Sequence, residues 1–178
     1  MNYIALLRGI NVGGKNKISM ADLKQHLENA GFSGVRTYIN SGNVLFQSEL
    51  SRKELEEKIE ATIVGNFKLD SSIIKTLVLS EGELRRIIEH KPKGFGVHPD
   101  KYHSDVIFLM KLGVSDALKV FRPKADVDRI WPGDCVIYSQ RVSALRTKSN
   151  LNKIISTPEY QFMTIRNWNT TTKLLELI

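Results

Sequence analysis

Short apolar runs and amphipathic stretches alternate twice along the chain in one order, β-α-β-β-α-β, with a Pro/Gly-rich break between the passes. In the first pass Tyr3–Leu7 reads as a buried strand. Ser19 then caps a helix that carries Met20, Leu23, Leu27 and Ala30 on one face and ends at Gly31. Val35–Ile39 and Val44–Gln47 read as strands of a hairpin turning at Asn40-Ser41-Gly42-Asn43. Ser51-x-x-Glu54 is a capping box for a helix with Leu55, Ile59, Ile63 and Phe67 inward, and Ile73–Leu79 is the next strand. Ser80-x-x-Glu83 opens a short helix with Leu84, Ile87 and Ile88, which breaks at Lys91–Asp100.

The second pass repeats the order. Asp105–Met110 is a strand, and Ser115 caps a helix with Leu118 and Phe121. Val127–Trp131 and Cys135–Ser139 flank the turn Pro132-Gly133-Asp134. Asn150 caps a helix with Leu151, Ile154 and Ile155, a strand follows near Phe162–Ile165, and Asn169 caps a closing helix, Thr170–Ile178. This predicts an α+β fold, a tandem duplication of ferredoxin-like units with a linking helix and a C-terminal helix. The expected divisions are 1–79, a helix and linker over 80–104, and 105–178. Right-handed crossovers predict the strand order 4-1-3-2 in each unit, with both helices on one face.

Connectivity then brings distant stretches together. The loop Arg8–Ser19 and the turn Asn40–Asn43 fall at one end of the first sheet. In the second, Gln140–Ser149 falls beside the strand exit at Arg166. Arg8–Ser19 holds Gly9, Gly13, Gly14, Asn11, Asn16 and the cations Arg8, Lys15 and Lys17, with no acid. Glycines let backbone approach a partner closely, and free N–H groups before a helix favour anions. This is the expected binding loop.

Three segments, Ala5-Leu-Leu-Arg-Gly-Ile-Asn-Val-Gly-Gly14, Thr37-Tyr-Ile-Asn-Ser-Gly-Asn43 and Arg166-Asn-Trp-Asn-Thr170, resemble the hallmark segments of the bacterial family DUF1697, whose function is unknown. The resemblance extends over nearly the whole chain and implies tandem ferredoxin-like units. It implies no activity, cofactor or catalytic residue. Ile165 stands where the family often has Thr.

Gly9-x4-Gly14-Lys15-Asn16 approaches a phosphate-binding P-loop but lacks the Ser or Thr that holds Mg²⁺ after the lysine. A looser anion site fits better than a nucleotide hydrolase. Asn40, Ser41 and Asn43 also suit a tight hairpin on purely structural grounds. Arg166, Asn167 and Trp168 combine a forked donor, an amide and an indole, which suits an anionic or aromatic ligand; a packed Trp168 and a structural Arg166 are the plain alternative. Arg141, Arg146, Lys148 and Lys153 make a basic stretch that serves as a solvated loop or a phosphate footprint. His98 and His103 with Asp100 and Asp105 match no common metal spacing, and Cys135 reads as a buried, inert thiol within a strand.

Charge adds a bias. Residues 1–90 carry 12 Lys/Arg against 11 Asp/Glu, while 91–178 carry 14 against 8, so the net charge of +7 lies mainly in the second half. Such a field attracts nucleic acid, nucleotides or acidic proteins. No run of 18 apolar residues or secretory leader is recognisable, and one cysteine forms no internal disulfide, so a cytosolic protein without a membrane partner is expected. Neither metal nor cofactor is expected, and no oligomeric state follows. The expected role is binding an anionic small molecule or nucleic acid through Arg8, Asn11, Gly13, Gly14, Lys15, Asn40, Ser41, Asn43, Arg166, Asn167 and Trp168. An enzyme working through Lys, Arg or Asn groups and a protein-interaction module are the alternatives.

Overall fold

The structure, a computed structural model, describes residues 1–70 and 74–178. It is α+β, with two four-stranded antiparallel sheets, each accompanied by helical segments. Contacts divide the chain into one unit of Met1–Leu84 with Leu174–Ile178 and a second of Arg85–Lys173.

The first unit contains β1 (Asn2–Arg8), α1 (Met20–Asn29), β2 (Ser33–Tyr38), β3 (Asn43–Gln47), α2 (Arg52–Asn66) and β4 (Lys75–Ser80). Its strand order is β2-β3-β1-β4, the one expected from right-handed crossovers. The expected start of the last strand, Ile73, lies outside the described residues. Side chains alternate across a strand, so Ala5, Leu7, Val44, Phe46 and Val78 share one face, where Leu23 and Leu27 of α1 and Leu55, Ile59 and Ile63 of α2 cover them. Both helix starts are local events. Ser19 accepts from Asp22 N, and Ser51 with Glu54 forms the reciprocal capping box. Ser80 and Glu83 do the same for α3 (Glu81–Glu89), within which the two units divide.

The second unit contains β5 (Tyr102–Leu109), α4 (Val114–Leu118), β6 (Asp128–Pro132), β7 (Val136–Val142) and β8 (Met163–Asn167), ordered β6-β7-β5-β8; α5 (Trp168–Leu177) follows. Ile107, Leu109, Ile137 and Met163 form a core with Ala117, Phe121, Leu151 and Ile154.

Five expectations change here. The α-helix expected after Asn150 is replaced by three 3-10 segments, Ser143–Lys148, Leu151–Ser156 and Pro158–Phe162. Leu151 and Ile154, three residues apart, are buried while Ile155 is 58 % exposed, which fits the three-residue turn of a 3-10 helix. Asn150 gives no side-chain cap; its backbone N–H goes to Asp128 Oδ2 at 2.9 Å. Ser115 lies inside α4, whose N-cap is Gly113. Asn167, not Asn169, caps α5, accepting from Asn169 N at 3.0 Å. Cys135 is exposed and sits before β7 at φ 57°, because the three-residue turn is Gly133-Asp134-Cys135, one residue later than expected.

The Lys91–Asp100 break contains a core residue. Phe95 is fully buried and meets the rings of Tyr138 and Trp168 edge-on at 5.0 and 5.1 Å. Gly96 allows this approach, since a Cβ there would lie 2.3 Å from Trp168 Nε1. Tyr138 donates its hydroxyl to Ile87 O at 2.6 Å, satisfying a carbonyl in the last turn of α3 that has no partner within the helix.

Burial, aided by the charge of Asp134, pushes the Tyr138 hydroxyl up to about 12. A raised pKa makes this contribution complete below the unfolded tyrosine value near ~10 and lost as pH rises toward the folded one. Tyr138→Phe is therefore expected to cost about 1–3 kcal/mol at pH 7. Its deficit should shrink between roughly pH 10 and 12 in urea titrations. An unchanged deficit across that window would contradict the assignment.

Candidate functional site

The chain leaves β1 at Arg8 and forms a small hairpin of its own before α1. Asn11 N donates to Asn16 O and Lys15 N to Val12 O, both at 3.0 Å, and a Val12–Lys15 bridge closes the tip. Gly13 and Gly14 hold the turn at φ 60° and 77°. A two-residue turn of this hand needs positive φ at both positions, which glycine adopts without strain. Asn11 and Asn16 flank it at φ 52° and 45°, a region that asparagine tolerates.

Side-chain amides fasten this hairpin. Asn16 is 2 % exposed; its backbone N donates to Asp70 Oδ2 at 2.6 Å, its Oδ1 accepts from Asp70 N at 2.7 Å, and its Nδ2 donates to Gly9 O at 2.7 Å. Asn11 accepts from Ile18 N at 2.8 Å and donates to Ile18 O and Asn40 O, each at 3.0 Å. The two polar stretches therefore meet, as the topology predicts. Leu7 N donates to Gly42 O at 2.8 Å, and a Cβ on Gly42 would stand 2.9 Å from Leu7 Cβ and Ile10 Cδ1. Asn43 is fully buried, donating to Tyr38 O at 3.0 Å and Ser41 Oγ at 3.1 Å. Asn11 and Asn43 thus hold the scaffold. Asn16, at the P-loop hydroxyl position, is likewise directed inward.

Sequence reasoning did not single out Asp70. The one available signal was topological: β4 pairs with β1 and brings Lys75 opposite Arg8, at the end where the loop emerges.

What remains outward is the tip. Val12, Gly13, Gly14, Lys15 and Lys17 are exposed, and nothing lies within 4 Å of a Cβ built on either glycine. The Lys15 and Lys17 side chains make no ion pair or hydrogen bond among the described residues. Arg8 is half-buried opposite Lys75 in the β1–β4 pairing. Asn40 and Ser41 are exposed at the neighbouring turn.

The segment at the end of β8 is built differently. Arg166 is 6 % exposed and donates from Nη1 to Thr164 Oγ1 and Ile165 O, each at 2.9 Å; burial lowers its pKa to about 10. Asn167 adds to its cap a bond from Nδ2 to Ser104 O at 3.2 Å, and Trp168 packs on Phe95. Of the basic stretch, Arg141 is drawn inward, donating to Asp105 Oδ2 and Asn152 Oδ1 at 2.9 Å. His103 Nε2 lies 3.1 Å from the other Asp105 oxygen. His103 and Asp105 do meet, around a guanidinium.

A family model described as protein of unknown function, DUF1697, matches residues 1–138. The chain belongs to this family. Two of the three hallmark segments lie inside the match, while Arg166–Thr170 lies beyond it. A solved structure of a conserved bacterial protein from Streptococcus pneumoniae is similar at 29 % identity and a TM-score of 0.82, over 99 % of this chain and 97 % of that one. No curated protein matches. Among the described residues no helix is long and apolar enough to cross a membrane.

In this DUF1697 chain the glycines divide by role. Gly42→Ala adds a Cβ against Leu7 at φ 78° and should cost more than ~2 kcal/mol. Gly13→Ala meets only the left-handed penalty, about 1 kcal/mol. Urea unfolding of both variants checks the difference; equal losses would contradict it.

Proposed function

We propose that the chain binds a small anionic ligand, a nucleotide or another phosphorylated metabolite, at the glycine tip of the first unit. One observation carries this: two exposed lysines, with no ion pair among the described residues, follow two open glycines on a hairpin that the Asn11 and Asn16 amides hold in place. Lys15 and Lys17 supply charge, Gly13 and Gly14 let phosphate oxygens reach backbone N–H groups, and Asn40 and Ser41 offer polar contacts alongside. Asn11 and Asn43 act by fixing the geometry. Arg166, Asn167 and Trp168 support the second unit and contribute no ligand contact in this reading.

Two further elements belong to the proposal. The matching strand orders support a tandem duplication of one ferredoxin-like plan, with repeats over 1–79 and 105–178. A cytosolic setting suits a chain whose lone thiol, Cys135, is exposed and can form no internal disulfide.

The test uses inorganic phosphate and ATP as probes in thermal-shift and calorimetric titrations. Ligand at ~100 times Kd stabilises a native protein by about 2.7 kcal/mol, a rise of several degrees in Tm. The double variant Lys15→Glu, Lys17→Glu should weaken binding by roughly tenfold or more. Binding that survives both charge reversals would sink the proposal.

A further inference from the structure

We infer that the second unit carries a separate surface for single-stranded nucleic acid, centred on Tyr102. This residue opens β5 and pairs in register with Val142; Ser143 N donates to Lys101 O at 2.9 Å, so the 3-10 segment Ser143–Lys148 starts beside it. Lys101 Nζ lies 5.2 Å and Arg129 Cζ 5.8 Å from the centre of the Tyr102 ring. Arg146 and Lys148 follow on the adjoining 3-10 segment.

All four cations are exposed, and none has a carboxylate partner among the described residues. Elsewhere the exposed Lys24, Lys53 and Lys119 each pair with an acid on their own helical segment. The nearby acids do little to cancel this field. Asp128 is buried and accepts from the backbone of Lys124 and Asn150, and Asp105 is matched by Arg141. Asp126, which lines the cavity with Tyr102, and Asp100, next to Lys101 in the chain, are the exposed acids of this region, against four cations.

A cavity of about 100 Å³ beside Tyr102 is smaller than the ~300 Å³ that encloses a metabolite-sized ligand. The chemistry is therefore that of an open track. A base stacks on the ring or on the planar Arg129 guanidinium, while the flexible Lys101 ammonium moves onto a phosphate. An aromatic ring among unpaired cations favours splayed bases over a duplex, whose bases are already stacked.

Fluorescence anisotropy with labelled oligo(U) and oligo(dT), using the full chain, tests this. Binding should be measurable at low salt and fall steeply as salt rises, with a log–log slope near about −3 for four phosphates neutralised at −0.7 each. Tyr102→Ala should weaken it by roughly fivefold or more, as should Tyr102→Leu, which keeps apolar bulk without a π face. Arg129→Glu with Arg146→Glu should weaken binding and flatten the slope. Preference for uridine over deoxythymidine oligomers would name RNA as the partner, and the reverse DNA. Equal affinity for duplex or heparin, or no response to either Tyr102 variant, would overturn the inference. Inorganic phosphate that saturates the glycine tip should leave the oligonucleotide signal in place, so the two sites fail separately.

Discussion

The pairing of buried Asn16 with Asp70 fixes everything outward of it in the first unit. A hairpin of glycines and lysines projecting from a sheet has no core of its own and would otherwise sample many conformations. Asn16 meets Asp70 in both directions and also holds Gly9 O, so the hairpin base is tied to the segment entering β4. Each such hydrogen bond contributes on the order of 1 kcal/mol, more where the carboxylate is an acceptor. Asn11 adds a second tie, to the neighbouring turn through Asn40 O. Polar groups that looked available for a ligand are occupied in presenting the tip.

The two sheets end in polar clusters of different construction. The first uses neutral amides and one carboxylate, leaving Lys15 and Lys17 without an ion pair among the described residues. The second buries a charge pair, with Asp105 accepting from Arg141 and facing His103. A buried pair adds little net stability, yet removing one partner is costly because the other is left uncompensated. Arg141 is thereby committed to the fold, whereas Lys101, Arg129, Arg146 and Lys148 have no carboxylate partner among the described residues, in a half of the chain that carries most of the +7 charge.

Local signals read most clearly from the sequence. Ser51 with Glu54 and Ser80 with Glu83 form boxes whose partners lie three residues apart, so the helix starts were legible without tertiary knowledge. Strand alternation and crossover handedness likewise specified both strand orders. The spacing of Leu151 and Ile154 suits α and 3-10 turns alike, and only the exposure of Ile155 separates them. Asp70 was not legible as a site residue, because its partner lies 54 residues away. Asn43 suited hairpin and ligand equally in sequence; in the structure it is fully buried and bonded to Tyr38 O and Ser41 Oγ within the hairpin.

The central claim is that the Asn11, Asn16 and Asn43 amides form a fixed scaffold and the glycine tip, with Asn40 and Ser41 beside it, meets the ligand. Two-dimensional ¹H–¹⁵N spectra during a titration with inorganic phosphate test this directly. The backbone amides of Gly13, Gly14, Lys15 and Lys17 should shift progressively, while the side-chain amides of Asn11, Asn16 and Asn43 hold their positions. Shifts confined to other parts of the chain, or movement of the Asn16 amide with the tip unchanged, would contradict the account.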